Sequence, residues 1–433
     1  MNILFISNEC IAGNLAVILR KEGHNVKLYI KNKNDRQNFD NLVEKTYSWK
    51  KELEWVGKNG LIVFDDVGYG KTQDFLRKKG YKVFGGSKEA DRLEQDREYG
   101  QKMFKELGLK TVDLKDFTDI EDAILFIKDN PKKWVIKCND HSRKFLTYIG
   151  EYECGKDTIS VLKSYYNNKY INREKITLHE RINGVEIGVG RYFNGIDWVG
   201  PIEINFEHTR MFPDDVGPIT SEMGTLAWYD GDEKNKLFID VLSKFKSYLQ
   251  SVNFKGDFEI NCIVNESGAY PLEVTARMGT PIVHLQSELN ISPWGEFLYA
   301  IANGEKYDLK FKKGFGIVNL IATPPFPFGR DNSKETLYGV NIYFDKLDIK
   351  ELESIHFESI SIRAGKDNGQ YFISGRDGYI AYTTAVADTI EKARLKSLNI
   401  IKKIIIPKAF YRNDIGKDIE NKIPDLKKWG YIR

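Results

Sequence analysis

Short apolar runs alternate with helix-like periodicity through the first 110 residues. The apolar runs predict strands at Ile3–Ile6, Val26–Ile30, Leu61–Phe64 and Lys82–Phe84. Between them, apolar residues recur at helical spacing, and these patterns stop at glycines. Strands that alternate with helices indicate parallel βαβ units, so we expect an open, doubly wound parallel sheet. A longer helical pattern then covers Lys88–Leu107.

From about residue 111 the pattern changes to strands joined by polar loops, which favours antiparallel pairing. One helix, Lys234–Leu249, precedes the last two strands of this region. The predicted strands are Trp134–Lys137, Lys175–Arg181, Glu186–Phe193, Trp198–Ile204, Gly256–Val264 and Ala269–Thr275.

Beyond Lys313 a third region begins with a strand at Gly316–Thr323 and runs to a final amphipathic helix, Thr389–Ile404. We therefore expect an α/β domain at 1–112, a central α+β domain at 113–315 with a subdomain at about 113–185, and a mixed β/α domain at 316–433. Three domains agree with a length of 433 residues.

The composition favours a globular enzyme and argues against nucleic-acid and membrane partners. Hydrophobic residues make up 41% and charged residues 29%, which is typical of a globular enzyme. The 65 basic and 62 acidic side chains nearly balance, so we expect no nucleic-acid partner. No apolar run reaches the roughly 20 residues that span a bilayer, so we expect no membrane partner. The partners expected are small molecules, with a monomer or homodimer as the assembly.

The cysteines and the N-terminus predict a cytoplasmic protein. The four cysteines are scattered, without a CxxC pair, which favours a reducing compartment over a disulfide scaffold or a zinc site. The start MNILFISNEC lacks the basic region and cleavage site of a signal peptide.

The segment Gly70-Lys71-Thr72 follows a predicted strand and resembles the end of a phosphate-binding P-loop. The full pattern needs a glycine five residues before Gly70, where this chain has Asp65. We therefore interpret the segment as an ordinary strand-to-helix turn.

Two neighbouring strand patterns each carry a glutamate among apolar residues, Glu259 and Glu273. If both face the same side, they form a Mg²⁺ site, because Mg²⁺ prefers hard oxygen ligands and usually takes one or two carboxylates beside phosphate oxygens. The equally simple alternative is that both glutamates lie on a solvent-exposed face of their strands.

Lys137 ends the strand that begins at Trp134, where a lysine can direct its charge at a nucleotide phosphate. A lysine that merely caps the strand is the alternative. The segment His179–Glu186 is likewise compatible with two edge strands and a turn.

Three stretches together resemble the glycinamide ribonucleotide synthetase family (phosphoribosylamine–glycine ligases), whose members have the ATP-grasp fold, and the resemblance covers nearly the whole chain. The stretches are Val83-Phe84-Gly85 with Leu93-Glu94 and Gly108–Thr111; His208-Thr209-Arg210 with Gly217–Gly224; and Ser374-Gly375-Arg376 with Tyr411–Gly416. The resemblance implies an ATP-dependent ligase that forms an amide through an acyl phosphate, with ATP and Mg²⁺ as cofactors.

The resemblance also implies individual roles. Catalytic roles fall to Arg277, which would steady the acyl phosphate and the oxyanion, and to Lys137. The ATP-binding residues would be Arg97, Lys137, Lys144, Glu180, Arg181, Ile182 and Glu186. The metal ligands would be Glu259, Glu273 and Thr275. The substrate side would be formed, with backbone N–H groups, by His208, Arg210, Gly217, Pro218, Thr220, Met223 and Gly224.

The chain departs from the family in three loops. Ser7–Ala12 and Asp65-Asp66-Val67 stand where the family has glycine-containing loops beside the sugar phosphate, and Asn139–Lys144 replaces the glycine-rich lid. Glycine lets the backbone approach a phosphate, whereas Glu9, Asp65 and Asp66 would repel one. We therefore predict that phosphoribosylamine itself is not the amine. We also predict that the segment Asn139–Gly150 closes over ATP, with Arg143 or Lys144 replacing the contacts of the glycine-rich loop.

The favoured function is an ATP-dependent ligase that activates glycine or another small amino acid for attack by a nucleotide-like or other amine. One alternative is the phosphoribosylamine–glycine ligase reaction of purine biosynthesis. The alternative from another class is a non-catalytic nucleotide-binding scaffold.

Overall fold

The computed structural model describes residues 1–112, 114–138, 146–168, 175–328, 336–365 and 369–433. Its first sheet is fully parallel, as the alternating pattern predicts, with the strand order β3-β2-β1-β4-β5. The strands are β1 (Asn2–Ser7), β2 (Asn25–Ile30), β3 (Glu44–Lys45), β4 (Leu61–Phe64) and β5 (Lys82–Phe84). The helices around them are α1 (Gly13–Lys21), the short α2 (Leu53–Val56) and α3 (Gly70–Lys78).

The centre of this sheet is buried on both faces, and the strand order reverses between β1 and β4. All residues from Ile3 to Ile6 and from Leu61 to Phe64 are at most 1% exposed. In open α/β sheets the carboxyl ends of the strands at such a reversal form a ligand-binding crevice. The loops after Ser7 and Phe64 therefore border a candidate site.

The single helix predicted over Lys88–Leu107 is wrong: the segment forms two helices, α4 (Lys88–Gln95) and α5 (Arg97–Glu106). Asp96 between them has an extended backbone (φ −114°, ψ 92°), and its side chain accepts a hydrogen bond from the Tyr99 amide. Aspartate satisfies the first amides of a helix from such a position, so it starts a new helix here. The break places Arg97 at the beginning of α5.

A small antiparallel sheet with the order β6-β9-β7-β8 follows. It packs with two helices around its own apolar core, which includes Ile127, Trp134, Ile136 and Leu178. The elements are β6 (Leu114–Phe117), α6 (Ile120–Asp129), β7 (Trp134–Cys138), β8 (Tyr148–Ile149), α7 (Lys156–Asn167) and β9 (Ile176–Glu180).

The central part of the chain is dominated by long antiparallel strands. Among them, the segment Val216–Asp230, for which no strand had been predicted, is a strand of 15 residues. The predicted helix Lys234–Leu249 is instead interrupted by a 3₁₀ turn at Leu242–Phe245. The elements are β10 (Val185–Asn194), β11 (Trp198–Phe212), β12 (Val216–Asp230), α8 (Lys236–Asp240), α9 (Lys246–Ser251), β13 (Lys255–Asn265), β14 (Gly268–Thr275), α10 (Ile282–Leu289), α11 (Trp294–Asn303) and β15 (Phe315–Ala322).

In the residues described, the C-terminal part adds further strands and three helices. The expectation that Thr389–Ile404 is the final helix is wrong, because a further helix of 12 residues follows it. Its polar sequence and the internal Pro424 hid its periodicity. The elements are β16 (Tyr343–Phe344), α12 (Ile349–Glu353), β17 (Ile355–Phe357), β18 (Ile360–Ile362), β19 (Tyr371–Ile373), β20 (Tyr379–Ala387), α13 (Ile390–Ile401), β21 (Ile404–Ile405) and α14 (Lys417–Lys428).

One eight-stranded sheet joins the central and C-terminal parts, with the order β14-β13-β10-β11-β12-β15-β20-β17. It is antiparallel throughout and crosses residue 315, where the sequence had suggested a domain boundary. The three domain ranges stay a prediction. The sheet carries the candidate site on the face described next.

Candidate active site at two joined cavities

One face of the long sheet carries polar side chains at alternate positions of neighbouring strands. In the pairing of β13 with β14, Glu259 lies opposite Thr275 and Asn261 lies opposite Glu273. Directly paired residues of antiparallel strands point to the same face, so these four side chains form one group. The structure thus brings the predicted metal ligands together.

The next strand, β10, leaves room beside this group because it carries glycine there. Gly188 is paired with Asn261 on one side and with Asn205 of β11 on the other. A Cβ atom at Gly188 would collide with the side-chain oxygens of both asparagines. Glycine is therefore required at this position, because any side chain would displace the amide groups of both asparagines.

A cavity of about 390 Å³ lies between this polar face and the loops at the strand reversal of the parallel sheet; we call it the switch-point cavity. The polar residues that line it are Glu9, Asp66, Glu94, Gln95, Asn205, Glu207, Ser221, Glu222, Thr225, Glu259, Glu273, Thr275, Arg277 and Thr280.

Arg277 is held in this cavity by two carboxylates from the first 95 residues. Its Nε lies 2.9 Å from Glu94 Oε1 and 3.7 Å from Asp66 Oδ1, and its Nη1 donates to the Met278 carbonyl. The second Glu94 oxygen accepts from the Ala276 amide at 3.1 Å. Burial opposes the charge of Arg277, but Glu94 and Asp66 outweigh burial and raise its pKa. The guanidinium is therefore charged and fixed in orientation.

A second cavity, of about 320 Å³, lies between the small sheet and the long sheet; we call it the hinge cavity. Its lining brings together the predicted ATP-binding residues that the structure describes. These are Arg97, Lys137, Glu180, Arg181, Ile182 and Glu186. Lys144, the remaining one, lies outside the described residues.

The hinge cavity contains a histidine that the sequence had not assigned to ATP. His179 is 4% exposed, and desolvation, with Lys137 and Arg97 nearby, lowers its pKa to about 2. The imidazole is therefore neutral at physiological pH, and the positive charge of this cavity comes from the lysine and arginines. Such a lining suits the phosphates of a nucleotide.

The two cavities meet at shared residues. Glu207, Ser221 and Glu273 line both of them, and Glu273 Oε2 lies 3.9 Å from Arg97 Nη2. A phosphate held in the hinge cavity would thus approach a group bound in the switch-point cavity at these residues. Of the predicted metal ligands, Glu273 lines both cavities, and Glu259 and Thr275 line the switch-point cavity.

Two further carboxylates, Glu203 and Asp257, form a buried network with Glu259 beneath the junction. Gln286 Nε2 donates to Glu203 and Asp257, both at 2.9 Å, and Asn205 Nδ2 donates to Glu203 and Glu259 at 3.1 and 2.8 Å. Burial first, and then neighbouring carboxylates, raise both pKa values: Asp257 raises the pKa of Glu203, and Glu203 and Glu207 raise the pKa of Glu259. A cation bound at the junction would stabilise their ionised forms.

The donor set fits Mg²⁺ by its chemistry. Carboxylate, amide and hydroxyl oxygens on one face are hard ligands of the kind Mg²⁺ takes, and Mg²⁺ usually adds phosphate oxygens and water to one or two carboxylates. Among the described residues, no three histidine, cysteine or acidic side chains converge as a metal centre on their own. The roles of Glu259, Glu273 and Thr275 as ligands stay a prediction.

The predicted substrate residues are distributed over both faces of the β11–β12 hairpin. Thr220 lines the hinge cavity. His208 is instead buried on the other face, where its Nε2 lies 3.1 Å from Asp418 Oδ1 and 3.0 Å from the Gly416 amide. Arg210 donates to the Gly217 carbonyl at 2.8 Å. The three other predicted substrate residues, Pro218, Met223 and Gly224, line neither cavity.

Several cavity residues had no role assigned from the sequence. Asn205, Glu207 and Glu222 belong to strands whose alternation decides which side chains face the cavity. A shift of one residue separates Glu207, in the cavity, from His208, behind the sheet. The resemblance alone pointed to His208 and Arg210. Only the register of β11 shows that Glu207, and not His208, faces the cavity.

A larger depression of about 680 Å³ lies away from this site, beside Arg191 and Trp198. Its arginine is already engaged by Glu233 in two hydrogen bonds of 2.9 and 2.7 Å. The depression also lacks the paired carboxylates of the junction. We therefore place the candidate chemistry in the two joined cavities.

Known proteins resemble this chain in sequence. Residues 95–282 match the family model described as phosphoribosylglycinamide synthetase, ATP-grasp (A) domain. A phosphoribosylamine–glycine ligase of Listeria monocytogenes serotype 4b is 26% identical over 443 residues, covering 97% of this chain and all of the relative. One from Helicobacter pylori is 25% identical and covers 91% of this chain and 88% of its own.

Solved structures share the fold. Phosphoribosylamine–glycine ligase from Thermotoga maritima superposes with a TM-score of 0.73 at 19% identity, covering 96% of this chain and all of its own. A biotin carboxylase from Campylobacter jejuni, in a complex with an ATP analogue, gives a TM-score of 0.63 at 12% identity, with 99% and 96% covered. Within the described residues, no helix is long and apolar enough to span a bilayer.

Proposed function

We propose that the chain is a member of the phosphoribosylglycinamide synthetase family of ATP-grasp ligases, which it resembles in sequence, and that it couples glycine or another small amino acid to an amine through an acyl phosphate. As an ATP-dependent ligase it forms a C–N bond and releases ADP and phosphate.

ATP binds in the hinge cavity. Its phosphates lie against Lys137 and Arg97, and its adenine lies near the backbone of Glu180, Arg181 and Ile182, at the end of β9. Glu186, at the start of β10, accepts hydrogen bonds from the ribose hydroxyls. Positioning of the γ-phosphate at the junction supplies most of the catalysis, as is usual in phosphoryl transfer.

The first step occurs at the junction. A carboxylate oxygen of the amino acid attacks the γ-phosphorus, the bond to the β-phosphate oxygen breaks, and ADP leaves. Glu259, Glu273 and Thr275 would hold Mg²⁺ there, and the ion would neutralise the phosphate oxygens. Lys137 and Arg97 add fixed positive charge on the other side of the transferred group.

The second step occurs in the switch-point cavity. The amine nitrogen attacks the acyl carbon, and negative charge develops on the carbonyl oxygen. Arg277, oriented by Glu94 and Asp66, steadies this oxygen. A fixed donor of this kind is effective because it needs no reorganisation during the reaction.

The observation that carries the proposal is the junction itself. The two cavities share Glu207, Ser221 and Glu273, and the hinge cavity adds Arg97 and Lys137 beside them, so phosphate and acceptor can meet there. The test incubates the enzyme with MgATP, hydroxylamine and single amino acids. Hydroxamate of one small amino acid, formed with an equal amount of ADP, supports the proposal; ADP formation without hydroxamate contradicts it.

A second candidate is the reaction named for the relatives, phosphoribosylamine–glycine ligation. The sequence likeness over 97% of the chain favours it. Freshly generated phosphoribosylamine, glycine and MgATP provide the test. Efficient formation of glycinamide ribonucleotide would establish this reaction, whereas hydroxamate formation without it would leave the broader ligase proposal.

A further inference from the structure

Negative charge covers the walls of the switch-point cavity. Among the described residues of the lining, Arg277 is the only cation, and two of the carboxylates, Glu94 and Asp66, already engage it. The seven lining carboxylates are Glu9, Asp66, Glu94, Glu207, Glu222, Glu259 and Glu273. Glu207 and Glu273 also line the hinge cavity, whereas Glu9 and Glu222 line the switch-point cavity alone. Glu222 is 6% exposed and accepts a hydrogen bond from the Thr225 hydroxyl.

The two helix starts beside this cavity are occupied by the chain's own carboxylates. Such N-termini, at the strand reversal of an open sheet, are the usual places for phosphate groups. Here Asp65 accepts from the Ala12 amide at 3.1 Å, just before α1. Asp91 accepts from the amides of Gly68 and Gly70 at 2.8 and 2.7 Å, at the start of α3. A phosphate would meet carboxylates where it needs N–H groups.

An independent observation concerns Asn205, which is 1% exposed and lines the cavity. Its Nδ2 donates to Glu203 and Glu259, so the orientation of the amide is fixed. Its Oδ1 accepts no hydrogen bond from any residue that the structure describes, and it faces the gap above Gly188. A buried acceptor without a donor is costly, so a ligand that brings an N–H group or a cation would satisfy it.

We propose that the acceptor is a cationic, unphosphorylated amine: a diamine or an amine with a second ammonium or guanidinium group. The proposal rests on the ligase function and names the substrate class of its acceptor cavity. One nitrogen reacts, while the second positive group is held by Glu9 and Glu222. An amine with a phosphate in the same position would be repelled by these carboxylates.

The coupling balances without a further reactant. The reacting ammonium loses two protons, one to the departing phosphate and one to a cavity carboxylate and then to water. The C–N bond forms, the C–O bond of the acyl phosphate breaks, and phosphate leaves with the electron pair. No residue of the chain forms a covalent intermediate in this scheme.

The first experiment compares three acceptors of similar size with the amino acid found by hydroxamate formation. They are 1,4-diaminobutane, ethanolamine and O-phosphoethanolamine, which differ mainly in charge. We expect kcat/KM to fall in that order, by on the order of 100-fold between the first and the last, as charge complementarity at a confined site would give. A phosphorylated acceptor that equals or exceeds the diamine would overturn the proposal.

The second experiment localises the preference. Glu222→Gln and Glu9→Gln should each lower the ratio of kcat/KM for 1,4-diaminobutane over ethanolamine by about tenfold. Glu266→Gln is the matched control, because Glu266 is exposed in the turn between β13 and β14, outside the cavity. Unchanged ratios in both cavity variants would contradict the proposal.

A binding measurement separates this proposal from the ligase function. Calorimetry with the MgADP-loaded enzyme should detect 1,4-diaminobutane but not O-phosphoethanolamine, and Glu222→Gln should weaken the binding of the diamine. If no hydroxamate forms but this binding pattern holds, the ligase function fails and the cation site stands. If hydroxamate forms but the diamine does not bind, the acceptor proposal is wrong.

Discussion

Glu94 offers the sharpest test of how Arg277 is positioned. One carboxylate oxygen contacts the guanidinium at 2.9 Å and the other accepts from the Ala276 amide at 3.1 Å. The substitution Glu94→Gln keeps the shape of the side chain but removes its charge and replaces one acceptor by a donor. The new NH₂ group must face either the Ala276 amide or Arg277, both of which are donors themselves.

The size of the effect follows from these contacts. A hydrogen bond to a charged group contributes roughly 1.5–3 kcal/mol. Asp66, 3.7 Å from Arg277, retains part of the anchoring. If the loss falls on the transition state that Arg277 stabilises, kcat should drop about 10- to 150-fold, since each 1.36 kcal/mol corresponds to about tenfold in rate.

Steady-state kinetics with hydroxylamine as the acceptor measure this loss. The KM for ATP should stay unchanged, because Glu94 does not line the hinge cavity. The control is Glu89→Gln on the same helix, whose side chain is 37% exposed and pairs with the neighbouring Lys88. Near-normal kcat in a folded Glu94→Gln protein, or a change confined to the KM for ATP, would refute the role of Glu94.

Three further substitutions test the predicted metal ligand Glu273, the buried carboxyl group of Asp65 and the contacts of His208 on the opposite face of the long sheet. Glu273→Gln should abolish ligation in a folded protein, and near-normal turnover at limiting Mg²⁺ would show that Glu273 is not a ligand. Burial, with Asp66 nearby, raises the pKa of Asp65 from 3.8 to about 7, so the free energy of unfolding should fall as pH rises from about 4 to about 7. In urea unfolding, Asp65→Asn should remove up to ~4 kcal/mol of this fall. Parallel pH profiles of the unfolding free energy in the two proteins would contradict this. His208→Ala should lower the unfolding free energy by ~1–3 kcal/mol, because His208 is buried against Asp418, with substrate KM values unchanged. A raised substrate KM without loss of stability would support its predicted substrate role instead.

The sequence predicted the fold where apolar patterns are local and strong. The strands of the parallel sheet follow from such runs, and the ATP-grasp resemblance agrees with the solved structures. The break at Asp96 was missed because helical spacing continues across it, and only its backbone reveals the capping role. The strand Val216–Asp230 was missed because its glycines and proline are typical of loops, whereas pairing with β11 and β15 overrides that preference.

The site was predictable in its residue types but not in its contacts. Glu259 and Glu273 were found because carboxylates are uncommon in apolar strands, and their strands proved to be neighbours. The contact of Glu94 with Arg277 joins residues 183 positions apart, which no local pattern encodes. The choice between Glu207 and His208 needed the register of the strand, since successive residues face opposite sides.

The central claim, that a carboxylate of the substrate takes the γ-phosphate of ATP, is tested most directly by isotope transfer. The amino acid is supplied with ¹⁸O in its carboxylate, together with MgATP and 1,4-diaminobutane or hydroxylamine. The released inorganic phosphate is then analysed by mass spectrometry. An acyl-phosphate intermediate transfers one carboxylate oxygen, so each phosphate should carry one ¹⁸O atom when the carboxylate is fully labelled. Unlabelled phosphate formed at the rate of ATP consumption would contradict the account, because water rather than the carboxylate would then have attacked ATP.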